Sequence, residues 1–170
     1  LLSDADLLET YRRVHEPMAE GALAQAGAGG GETGKLNRIV LRFGLCRAGL
    51  DAALLLAGRY LERADASSAA TVLDDVVNHP DIELRQARWH VLQALAGVYE
   101  PDDRRLSHHR EALAAMGALD DVARVDRVAA DRRRPPRTEV FDAMSTLPAV
   151  TVIKPLSEPL WHVNVPTPPP

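Results

Sequence analysis

Leu56-Ala57-Gly58-Arg59-Tyr60 and Leu95-Ala96-Gly97-Val98-Tyr99 are two copies of one pattern, LAGxY, set 39 residues apart in a chain of 170. The Leu and Tyr of each copy stand four positions apart and share one face of a helix. The Ala and Gly between them let a second helix come close. Each copy therefore reads as the end of the first helix of a packed pair, and the chain between them as one repeat unit.

Around the first copy the apolar spacing predicts a helix over residues 50–63, carrying Leu54, Leu55, Leu56, Tyr60 and Leu61. Asp65 is placed to cap a following helix in which Ala69, Val72, Leu73 and Val76 face the core, and Asn78 with Pro80 closes it. Around the second copy, Asp81 is positioned to cap a helix over 82–99 with Val91, Leu92, Leu95 and Tyr99 inward. Pro101 and Asp102 open the next, where Leu106, His109, Leu113 and Met116 recur at steps of three and four before Gly117. A last helix over 119–132 gathers Val122, Val125 and Val128.

Upstream, Leu36, Ile39, Val40 and Phe43 form an apolar stripe on a helix expected over 35–49. The earliest helix, opened by Ser3 and Asp6 and carrying Leu7, Tyr11 and Val14, is expected to run to about His15, where Pro17 stops or restarts it. A short Ala-rich helix through Gln25 and a flexible Gly-rich connector over 27–34 follow. Nine of the twelve prolines fall between Pro135 and Pro170, so the helical domain is expected to be 1–134 and the remainder, 135–170, a proline-rich extended arm.

Composition agrees with an all-α fold of stacked antiparallel helix pairs. Apolar residues make up 46% of the chain but aromatics only 4%, a mixture suited to helices packed through Ala and Leu. A formal charge of -4 offers no general attraction to phosphate backbones, so no nucleic-acid partner is expected. Cys46, the single cysteine, excludes an intramolecular disulfide and any all-thiolate metal site and favours a reducing, cytoplasmic setting. The apolar run 50–61 is interrupted by Asp51 and Arg59, so no integral membrane helix is expected. The chain opens on Leu1 without a Met, which suits a processed product or a piece of a larger protein.

The LAGxY units resemble the tetratricopeptide repeat, a helix hairpin with a Leu, a small residue and a Tyr in its first helix, an Ala early in its second and a closing Pro. Leu56, Ala57, Tyr60, Ala69, Leu73 and, within a residue, Pro80 follow that pattern in the first copy. Leu95, Ala96, Tyr99, Ala112 and Ala115 follow it in the second, where His108 stands in place of the small Ala. The 39-residue spacing exceeds the family's period of about 34. The resemblance covers residues 50–117 and implies an α-solenoid; a helical bundle is the alternative the residues themselves leave open. It also implies a concave groove for a peptide, lined by Asp51, Leu54, Leu61, Glu62, His90, Gln93 and Glu100. A clamp for a partner's terminal carboxylate is not implied, because Leu54 and Gly58 occupy two of the positions it needs.

Other chemistries find little support. Gly29 to Lys35 spells GxxxxGK, but the preceding segment reads as helix and Leu36 follows the lysine where a magnesium-binding hydroxyl is required. His108 and His109 point about 100° apart on a helix, unlike a chelating pair, and His109 lies on an apolar stripe as a core or interface residue. HExxH, GxSxG and paired-cysteine motifs are absent from the chain, so neither an enzymatic activity nor a cofactor or metal is expected. The cluster Arg132, Arg133, Arg134 and Arg137 reads as a solvated helix end, with a contact to a nucleic acid or an acidic partner as the alternative.

The expected function is a protein-binding scaffold: an adaptor or assembly subunit of a larger complex. It would engage protein partners through the groove and through arm 135–170 with Trp161 as anchor. The arm's alternatives are a dock on another chain and a dock on its own helices, and homo- and hetero-oligomers are both compatible. The competing reading is a regulatory or sensory helical domain of a larger multidomain protein.

Overall fold

A computed structural model describes residues 4–28, 32–100 and 103–133, and every regular element among them is helical. The chain divides into two units, Leu1–Arg134 and Pro135–Pro170. The expected proline-rich arm and Trp161 lie outside the described residues.

Helix α1 spans Asp4–Ala28 and passes through Pro17 without a break, a correction to the expected stop. Tertiary contacts on both sides of the proline explain its continuity. Before it, the Tyr11 hydroxyl donates to the Arg42 carbonyl at 3.2 Å and Arg12 Nε to that of Leu45 at 3.0 Å. After it, Ala19 and Ala26 are buried in a core shared with Leu36, Ile39 and Phe43. Pro17 itself is exposed, where a missing backbone donor costs least.

Helix α2 is Thr33–Phe43 and α3 is Arg47–Glu62, so the expected break near Gly49 falls instead at residues 44–46. Gly49 lies inside α3. It is glycine because the two helices nearly touch there: an added Cβ would sit 2.0 Å from the Phe43 carbonyl oxygen. Helix α4, Ala66–Asp75, starts where expected, with the Asp65 carboxylate accepting from the Ser68 N–H at 3.1 Å. Asp81, in contrast, caps nothing. Its carboxylate pairs with Arg12 and, at 3.6 Å, with Arg47, while residues Ile82–Arg85 form a 3-10 turn before α5, Gln86–Gly97. Helices α6, Arg104–Ala115, and α7, Leu119–Arg133, meet at Gly117, whose φ of +73° suits a residue without a side chain.

Each helix packs on the next, and α1 also packs on α3, α3 on α5, and α5 on α7. The core follows this order as three clusters. The first joins α1, α2 and α3 around Leu36, Phe43 and Leu56; the second joins α3 and α4 around Leu50, Leu54 and Leu73, with Trp89 and Leu92 of α5 against it. The third joins α5, α6 and α7 around Ala94, Leu113 and Val125. Leu106, His109, Leu113 and Val125 are buried as expected, but Met116 is 40% exposed and Tyr99 37% exposed. Tyr99 ends beyond α5 with the Arg132 guanidinium 4.3 Å from its ring centre.

Candidate protein-interaction face

Two polar constellations stand out, and the residues expected to line one groove are divided between them. The first lies where α1, α3 and the 3-10 turn meet. Glu16 reaches from α1 to the start of α3, where its two carboxylate oxygens accept the N–H groups of Arg47 at 3.0 Å and Ala48 at 2.8 Å. A carboxylate there satisfies donors that the first helical turn leaves unpaired and complements the positive end of the helix dipole. His79 Nε2 lies 3.2 Å from the Cys46 carbonyl oxygen, fixing the same junction from the other side. Burial pushes the His79 pKa down, against the opposing pull of Asp81. Burial and the neighbouring Glu16 push the Cys46 thiol up, so it is a protonated core residue.

Beside this junction is an open cleft of about 420 Å³ with Glu16, Glu20, Leu23 and Ala24 on its α1 wall and Arg47, Ala48 and Asp51 on α3. Arg85 also lines it, donating to both oxygens of Asp51 at 2.7 and 3.1 Å. Such a bidentate pair holds both side chains in place, and it raises the Arg85 pKa.

The second constellation ties α5 to α4 and α6. Gln93, 1% exposed, donates to Asp74 at 2.7 Å, and Arg105 of α6 reaches Asp74 at 3.0 Å, Glu100 at 2.8 Å and the Gln93 side-chain oxygen. Burial alone would raise the Asp74 carboxyl, but the hydrogen bonds from Arg105 and Gln93 prevail and hold it below its ordinary range. Alongside, the Nδ1 atoms of His90 and His109 are 2.8 Å apart, one donating and the other accepting. Trp89 stands edge-on to His109 at 5.1 Å and donates its indole N–H to the Leu73 carbonyl at 2.9 Å. Burial, then the charges of His90, His108 and Arg105, push the His109 pKa down to about 4.

Of the expected groove residues, Asp51 alone lines the cleft. Leu54 is fully buried between α3 and α4, and Leu61 is half-buried against the same cluster. Glu62 is exposed and paired with Arg59 at 2.7 Å. His90, Gln93 and Glu100 are brought together, but around α6 side chains, and the first two are buried. Glu16 and Glu20 escape a reading that ends α1 near His15, whereas Arg47 on α3 and Arg85 in the 3-10 turn reach the cleft through contacts that no local pattern announces. The continuing steps Tyr11, His15, Ala19, Ala22 and Ala26 carry the signal that extends α1.

Among the described residues no group of three or more His, Cys, Asp and Glu is arranged to hold a metal ion, and no helix is long and apolar enough to cross a membrane. Compared with protein-family models, curated proteins and solved structures, the chain matches none.

Proposed function

We propose that the helical domain is a protein-binding scaffold, an adaptor or assembly subunit that receives a partner polypeptide along the face formed by α1, α3 and α5. The observation that carries this reading is the packing of each odd-numbered helix on the next odd one, with the even-numbered helices packed between them in sequence. Such packing supports reading the helices as a two-layered array resembling tetratricopeptide repeats, in which one layer would be free to meet a guest. Both LAGxY copies fall near the ends of odd helices, α3 and α5, in keeping with equivalent places in successive units. The cleft beside Asp51 opens between two members of that layer.

Charge reversal inside the cleft tests the proposal. Full-length chain and its Glu20→Arg/Asp51→Arg variant are each immobilised and exposed to the same native extract, with helical circular dichroism checked beforehand. Proteins retained by the parent and lost by the folded variant assign binding to this face. An identical retained set from both, or none from the parent, defeats the assignment.

A further inference from the structure

Where α6 meets α5, two buried histidines are joined by a single proton. The Nδ1 atoms of His90 on α5 and His109 on α6 lie 2.8 Å apart, and each residue is 7% exposed. Imidazole nitrogens facing each other at that distance bond only when one carries a proton and the other offers a lone pair. A second proton turns both into donors, sets positive charge against positive charge and leaves neither N–H with an acceptor. The surrounding rings hold the two in place: Trp89 stands 4.9 Å from the His90 ring centre and 5.1 Å from that of His109, and His108 stands 4.9 Å from His109.

Burial disfavours charge on either ring, and the ionisable groups around the pair add to it. From α6, Arg105 and His108 repel a proton on His109. From α4, Asp74 attracts one, but its carboxylate is already engaged by Gln93 at 2.7 Å and Arg105 at 3.0 Å. Glu100, just beyond α5, is held by Arg105 at 2.8 Å. The other neighbours carry pairs of their own: Asp51 of α3 holds Arg85 of the 3-10 turn, Asp126 of α7 holds Arg110 of α6, and Arg132 of α7 lies over the Tyr99 ring. His79, buried at the α1–α3 junction, differs in having the Asp81 carboxylate 4.0 Å from its Nδ1 to receive a charge.

Helices α6 and α7 pack on α5 and on each other, and together with α5 they enclose the third core cluster. The ion pairs of Asp74 and Asp126 hold both carboxyls below their ordinary 3.8, so mild acid leaves them intact and acts on the histidines first. We infer that the His90–His109 bond is a pH-operated latch: a second proton on the pair releases α6 and α7 as a unit from α5, while α1 to α4 stay folded. The open form uncovers the α5 face that carries Val91 and Ala94, which are 7% and 0% exposed in the closed one. Total stability falls wherever protons enter a fold, but a latch confines the opening to one end of the helical domain. The device is independent of the partner-binding face proposed above, so either can fail without the other.

The test is native-state hydrogen exchange of the full-length chain, read peptide by peptide at pH 7.5 and pH 5 and corrected for the intrinsic pH dependence of exchange. Opening of α6 and α7 should rise at least about tenfold at pH 5, with a several-fold smaller change in α1 to α4. His109→Asn keeps a hydrogen-bonding atom near the place of Nδ1 but takes up no proton, so a charged His90 meets an acceptor where it met a donor. That variant, with helicity retained, should lose the acid response of α6 and α7. His90→Asn, its mirror image, carries the same expectation and serves if the first does not fold. Acid opening spread evenly from α1 to α7 overturns the inference. So does unchanged protection of α6 and α7 in the parent, or a full acid response in a folded Asn variant.

Discussion

His109 shows how one buried side chain ties this fold to pH. Its folded pKa of about 4 lies below its ordinary 6.5, and those of His90 and His79 are also lowered, in each case by burial first. The folded protein therefore holds these rings neutral while the unfolded chain takes up protons near pH 6.5. The contribution of His109 is complete above that pH and drains away as pH falls toward 4, amounting to up to roughly 3 kcal/mol, and His90 and His79 add to it in the same direction. Asp74 and Asp126, lowered from an ordinary 3.8, lose their contribution only below that value, so the window above it reports the histidines. Urea unfolding at a series of pH values should show stability falling between about pH 6.5 and pH 4. His109→Leu should reduce that slope even as it lowers stability at neutral pH by stranding His90. Parallel pH profiles for the parent and the variant would contradict this account.

At the scale of elements, the repeated LAGxY pattern conceals two different jobs for its glycine. An added Cβ at Gly97 would lie 2.5 Å from the Leu106 backbone nitrogen, so this glycine is what allows α6 to sit against α5. An added Cβ at Gly58 meets nothing within 4 Å, so there the glycine only weakens α3. Gly97→Ala should therefore destabilise by about 1–3 kcal/mol, and Gly58→Ala should stabilise by about 0.4–1 kcal/mol. Thermal or urea denaturation of the two single variants checks both signs; shifts in the same direction would show that the two copies are equivalent in packing after all. The tyrosines differ as well. Tyr60 packs against both core clusters that share α3, whereas Tyr99 lies at the surface under Arg132.

Over the whole helical domain, stability is distributed by neighbours. Helix α3 contributes to the first two core clusters and α5 packs on the second and builds the third, while α1 and α7 each have the core on one side only. The outer residues Leu7, Val14 and Met18 of α1 are about half exposed or more, at 51%, 59% and 49%. If the helices act as the proposed array, the inner ones open only with their neighbours and the ends open by themselves. Native-state hydrogen exchange should thus find the slowest amides in α3 and α5 and faster ones in α1 and α7. Uniform protection from α1 to α7 would point instead to one indivisible bundle.

Much of the secondary structure was legible because it depends on local physics. The three- and four-residue spacing of Leu106, His109 and Leu113, the capping acid Asp65 and the turn at Gly117 act within a few residues, and each appears where the sequence put it. What the sequence left undecided depends on contacts between distant segments. Pro17 reads as a stop in isolation, yet Tyr11 and Arg12 on one side and Ala19 and Ala26 on the other are fixed by α2 and the start of α3. Asp81 reads as a cap, yet Arg12, some seventy positions earlier, claims its carboxylate. His90 and Gln93 read as groove residues, yet they turn toward Asp74, Arg105 and His109 because burying a polar side chain is tolerable only where partners already wait. Local periodicity determines which residues are helical, but which face of each helix remains open is set by the helices that pack around it.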